Sequence, residues 1–183
     1  MSWRPETEPA RRTFLRGAGA LAAAALAPGR LLAGPREERV LSFFNTHTRE
    51  RLTVPYFADG EYLARELATL NAFLRDHRTG QEHVMDATLF DILNDLRLAT
   101  RTRSPFHVIS GYRSPATNTM LRENGRGVAK RSMHMEGRAI DIRLSDVKSA
   151  SLRDAALELG RGGVGYYHDS DFVHVDTGRV RRW

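Results

Sequence analysis

Asp141 stands between two isoleucines in Ala139 to Leu144, a run that alternates apolar and polar as a strand does. Aspartate is unfavourable in mid-strand. Set in so apolar a context, its carboxylate is expensive to bury unless it is paired or bound to a cation. A fold that accepts this run must bring a cationic partner to it. Seven residues upstream, across the turn residue Gly137, lies His134, in Ser132-Met133-His134-Met135-Glu136.

A second segment poses the same problem. In Asp171-Phe172-Val173-His174-Val175-Asp176 an imidazole sits between two valines. Either segment alone reads as a hydrogen-bonded core residue. Together they offer two imidazoles and one carboxylate, which is three ligands with a fourth position open. That is the coordination of a catalytic zinc site rather than a closed structural one. The chain has no cysteine, so a disulfide framework, a thiolate metal site and a thiol nucleophile are all excluded. A metal must be held by His and carboxylate. The other histidines, at 47, 77, 83, 107 and 168, lack such settings. The first four read as surface or packing residues.

The rest of the chain is organised to carry these segments. Val40 to Thr46 and Arg51 to Tyr56 predict a hairpin. Asp59 is expected to cap a helix from Gly60 to His77, with Leu63, Leu67, Leu70 and Leu74 on one face. Asp86 is expected to cap a second helix ending near Ala99, on the face of Leu89, Ile92, Leu93 and Leu96. Phe106 to Ser110 reads as a short strand, and 111–137 as mostly loop. Within that loop Ser114 and Pro115 open a short helix to Arg122. Ser149 to Leu159 predicts a helix stopped by Gly160. Val164 to Tyr167 and Phe172 to Thr177 close the chain as paired strands around a turn at 168–171. This order lacks a strict β-α-β alternation. It implies an α+β fold with a small, mostly antiparallel sheet flanked by helices.

The N-terminus reads as an address. Arg11 and Arg12, with Phe14 and Leu15 after them, precede an uncharged, alanine-rich run from Gly17 to Ala27. That run is too short to span a bilayer, which needs ~20 residues. The pattern resembles a twin-arginine export signal over residues 1–33, with cleavage after Ala27 or Ala33, or no cleavage. The expected location is therefore periplasmic or otherwise exported, with membrane contact only through an uncleaved signal. A single domain, 34–183, follows. The formal charge is +6, but residues 34–183 carry 23 basic and 20 acidic groups, net +3. No basic stripe supports a nucleic-acid partner. A monomer is expected.

Four motifs in order carry a family resemblance over roughly residues 38 to 183. They are Ser110-Gly111-Tyr112-Arg113-Ser114; Ser132-x-His134-x-x-Gly137-x-Ala139-x-Asp141; Gly163-Val164-Gly165-Tyr166-Tyr167; and Phe172-Val173-His174-Val175-Asp176-Thr177-Gly178. The chain resembles the VanX, D-Ala-D-Ala carboxypeptidase and hedgehog-like zinc peptidases, and within them the MepK (YcbK)-like murein endopeptidase branch. The resemblance implies one Zn²⁺ held by His134, Asp141 and His174. It implies Asp171, three residues before the last ligand, as the base that takes the proton of the attacking water. In this context Arg113 is expected to bind the scissile carbonyl oxygen or a substrate carboxylate. Residues 174 and 176 share a strand face, so Asp176 is expected to orient a ligand imidazole. Ser132 is expected to support His134, and His168 and Tyr166 to approach substrate. The implied function is hydrolysis of stem-peptide cross-links in peptidoglycan, of the 3–3 or 4–3 type. The alternatives are a D,D-carboxypeptidase or dipeptidase on D-Ala ends, and a non-catalytic, zinc-stabilised wall-binding module.

Overall fold

A computed structural model describes residues 37–125 and 128–183; the export segment expected over residues 1–33 lies outside them. Eight strands form one sheet: β1 Glu38–Asn45, β2 Arg51–Ala58, β3 Glu61–Tyr62, β4 Phe106–Ser110, β5 Ala139–Arg143, β6 Gly163–Tyr167, β7 Phe172–Asp176 and β8 Arg181–Arg182. Among the described residues four α-helices accompany them: α1 Ala64–Phe73, α2 Ala87–Thr100, α3 Pro115–Glu123 and α4 Ser149–Leu159. The strand order is β3-β2-β1-β4-β5-β7-β6-β8. The β1–β4 and β6–β8 contacts are parallel and the others antiparallel. The class is α+β and the sheet mostly antiparallel, as expected, but the sheet is larger, and two of its contacts are parallel. The parallel contact at its centre arises because β2, α1 and α2 carry the chain back before β4 begins.

The expected first helix is shorter than its leucine spacing suggests. Asp59 does not cap it. Asp59 and Gly60 form the two-residue turn between β2 and β3, with φ of 54° and 87°. Two left-handed residues match the twist of a tight hairpin, and Asp-Gly is a preferred pair there. Helix α1 then starts after Leu63, which makes no side-chain cap. It stops before His77 because the buried Asp76 carboxylate accepts the amides of Arg78 and Ser114, both at 2.9 Å. Elsewhere the capping logic is as read. Asp86 accepts from the Thr88 amide, and Ser114 from the Thr117 amide with Pro115 in the first turn.

One face of the sheet builds the core. Leu41, Phe43, Val54, Tyr56, Phe106, Val108, Ile140, Ile142, Val173 and Val175 pack with Leu89, Leu93 and Leu96 of α2 and Leu152 of α4. Each such fully buried side chain contributes about 2 kcal/mol from apolar burial. Period two then places Asp141, His174 and Asp176 on the opposite face. The alternation that makes Asp141 look misplaced in sequence is what points it away from the core.

Candidate active site

Register assembles the site. Asp141 pairs directly with His174 across β5 and β7, and His174 pairs with Gly165 across β7 and β6. The third group arrives from a 3₁₀ turn, Met133–Glu136, that leads into β5. The Ser132 hydroxyl accepts from the His134 amide at 3.4 Å. Gly137 closes the turn at φ 67°, and a β-carbon there would lie 2.3 Å from the Val84 carbonyl oxygen. Only glycine meets both demands. His134, Asp141 and His174 are all buried.

Their facing atoms converge. Asp141 Oδ1 lies 3.2 Å from His134 Nε2 and 2.8 Å from His174 Nδ1, and the two nitrogens are 3.2 Å apart. The outer nitrogens fix the tautomers. His134 Nδ1 lies 2.8 Å from the Gly111 carbonyl oxygen, which can only accept, so this nitrogen donates. His174 Nε2 lies 3.1 Å from the Asp176 carboxylate and likewise donates. In the neutral rings both inner nitrogens therefore present lone pairs to each other and to Asp141. Three acceptors aimed at one point require a cation between them, either a proton or a metal. A tetrahedral zinc site with bonds near 2.05 Å has ligand–ligand edges of about 3.3 Å. The observed spacings fit that donor set, and the outer hydrogen bonds are the orienting contacts such ligands need.

Electrostatics agree. Burial opposes charge on Asp141, but the charges and hydrogen bonds of His134 and His174 hold its carboxyl well below the usual range. Burial drives His134 toward the neutral form. Burial opposes charge on His174 too, but Asp141 and Asp176 together outweigh it and raise the imidazolium to about 9. Asp176 is itself held low, against its burial, by His174, Arg181 and the Gly178 amide. Five donors surround it: Arg181 Nη1 at 3.0 Å and Nη2 at 2.6 Å, the amides of Gly163 and Gly178 at 3.1 and 2.8 Å, and His174.

A pocket of about 350 Å³ opens over the cluster, its outer wall including Arg113, Arg131, Tyr167, Phe172 and Trp183. Arg113 Nη2 lies 3.7 Å from Asp141 Oδ2 and 3.4 Å from the Ser110 hydroxyl, while its buried Nε has no hydrogen-bond partner among the described residues. Ser132 also lines the pocket. The remaining expectations are placed differently. Asp171 is exposed in the β6–β7 turn at φ 50°, and its neighbours Ser170 and Phe172 line the pocket while it does not. His168 is exposed at the same turn beside Asp169. Tyr166 pairs with Val173 on the opposite face of the sheet, under the Arg153 guanidinium. Its neighbour Tyr167 is the one in the pocket. Arg181 and Trp183 were not anticipated, because a two-residue strand leaves no periodicity to read. His47 stacks on His77, His83 on Tyr112, and His107 against Phe44.

Among the described residues no helix is long and apolar enough to cross a membrane. The family model described as peptidoglycan L,D-endopeptidase MepK matches residues 34–183. Peptidoglycan L,D-endopeptidase MepK of Escherichia coli K12 is 43% identical over 176 residues, 94% of this chain and 96% of the relative. The Shigella flexneri protein of the same name gives the same figures. The probable peptidoglycan L,D-endopeptidase MepK of Haemophilus influenzae is 42% identical over 146 residues, 79% of this chain and 78% of its own. The sheet, the converging His134, Asp141 and His174 and these matches lead to one statement: the chain belongs to the MepK family of M15-type peptidases.

Proposed function

We propose that the chain is an exported, zinc-dependent peptidoglycan L,D-endopeptidase that hydrolyses stem-peptide cross-links. The observation that carries this reading is the convergence of His134 Nε2, His174 Nδ1 and Asp141 Oδ1 at the floor of an open pocket. The family and the printed names of its relatives supply the substrate class. The expected twin-arginine segment supplies the route of export.

His134, Asp141 and His174 would hold the ion. When bound, zinc supplies a Lewis acid and lowers the pKa of water to about 7. Gly111 and Asp176 take the outer ring protons, so that in the neutral rings the inner nitrogens are the ones left to bind the ion. Arg113 lines the pocket beside Asp141, where its guanidinium can hold the scissile carbonyl oxygen as charge develops on it. Arg131 adds positive charge at the rim, suited to the carboxylates of diaminopimelate.

Two aspartates separate the roles. Loss of a general base costs ~10²–10⁴-fold in rate. Asp171, at the turn three residues before His174, is the base in this reading, so Asp171→Ala is expected to lower turnover by ~10²–10⁴-fold at unchanged zinc affinity; a fall of less than tenfold would take the base role from it. Asp176→Ala removes the acceptor for His174 Nε2 and is expected to weaken zinc binding by about 10–100-fold. Competition with a chromophoric chelator measures this.

The function itself is tested on purified muropeptides. Zinc-loaded protein should convert 3–3 cross-linked dimers to monomers, stop on addition of a chelator, and recover with zinc. Release of D-Ala alone would identify a carboxypeptidase. Zinc binding with no product from either substrate would identify a wall-binding module.

A further inference from the structure

Trp183 borders two cavities. Its backbone is tied to β6 through Tyr166 N to Trp183 O at 3.1 Å and Trp183 N to Val164 O at 3.2 Å. The indole Nε1–H donates to the Tyr167 hydroxyl at 3.1 Å, and the Arg181 guanidinium lies 4.9 Å from the ring centre. His174 stands 5.2 Å away, centre to centre. Gly165 lies under the indole, where a β-carbon would come within 2.6 Å of it. Held on these sides, Trp183 is still 52% exposed. A large aromatic surface fixed in orientation yet left open to water is preorganised for stacking, because little freedom remains to be lost on binding.

One side of Trp183 faces the pocket over the metal ligands. The other faces a cavity of about 600 Å³ between α4 and the β6–β8 edge. Leu157, Val164 and Tyr166 give this cavity apolar walls, and Arg153 and Arg182 give it charge. Its one carboxylate, Asp154, is already paired with Arg153 at 2.6 Å. An endopeptidase substrate continues on both sides of the bond that is cut, so a single pocket over the ligands holds only part of it.

We propose that the cavity between α4 and β8 binds the second stem peptide of the cross-linked substrate, which turns over Trp183. The methylene chain of its diaminopimelate packs on Trp183 and carries the distal end of the residue into the cavity, where its distal carboxylate meets Arg153 and Arg182. This assignment rests on the endopeptidase reading, and it names where the other half of the substrate lies.

The test is steady-state hydrolysis of a purified cross-linked muropeptide dimer by the zinc-loaded full chain and by an Arg153→Glu/Arg182→Glu variant. Neither residue touches a metal ligand, so zinc affinity should stay unchanged. KM is expected to rise roughly tenfold or more, with kcat within about twofold. A free stem tripeptide, used as a competitive inhibitor, should lose potency by a similar factor. KM within twofold of the parent, or a fall confined to kcat, overturns the proposal and leaves the endopeptidase reading in place. Failure of the parent chain to cut the dimer refutes that reading first, without any variant, and the second subsite falls with it.

Discussion

Asp141→Asn should leave a folded protein with almost no activity. The amide keeps the shape of the carboxylate and reverses its hydrogen-bonding sense. Its Nδ2 can donate to the lone pairs on His134 Nε2 and His174 Nδ1, which lie 3.2 and 2.8 Å from Oδ1. Above pH 9, where His174 is neutral, the stripped variant should thus unfold within about 4 °C of the stripped parent, a difference of ~1 kcal/mol. The same NH₂ group fills the space where an ion must sit. Zinc affinity and dimer hydrolysis should fall well beyond the ~100-fold that follows loss of an orienting partner, on the order of a thousandfold or more. Thermal unfolding with and without zinc, beside muropeptide turnover, checks both halves. A variant that retains zinc-dependent stabilisation would mean that Asp141 is not a ligand.

The metal-free chain should lose stability as pH rises through the neutral range. His174 is raised to about 9 by its two carboxylate partners against burial, compared with an ordinary 6.5. A group that binds its proton more tightly when folded contributes fully below the unfolded pKa, and the contribution is gone above the folded one. The window therefore runs from pH 6.5 to about 9, and the amount is about 3 kcal/mol. Asp141 and Asp176, both held low, act in the other direction, and their contribution is lost only on acidification below the ordinary carboxylate range. Zinc requires the same Nδ1 lone pair that the proton occupies, so its stabilisation grows over this window. The gap in Tm between zinc-loaded and stripped protein should widen from pH 6.5 to pH 9. A constant or narrowing gap would mean that proton and metal do not share that nitrogen.

Much of this was legible before any coordinates. The alternation through Asp141 and His174 announced two strands with polar groups on one face, and helix caps at Asp86 and Ser114 marked where helices start. What failed were contests between local signals. Asp59 carries both a helix cap and a hairpin signal, and the left-handed preference of the following glycine decided for the hairpin. Tyr166 and Tyr167 differ by one residue, and one residue on a strand is the difference between the helix-covered face and the pocket. Arg181 lies in a strand of two residues and Trp183 directly after it, a stretch too short for any pattern, and only the parallel contact with β6 brings them to the site.

Because Asp141 and His174 are direct cross-strand neighbours, a slip of one residue between β5 and β7 would set an isoleucine opposite the imidazole and turn the carboxylate into the core. On the zinc-dependent reading proposed above, no misaligned sheet could capture the ion, and metal uptake would double as a proofreading step: a polypeptide that had paired β5 with β7 out of step would stay inert, and cutting activity would be armed only after the architecture had been verified.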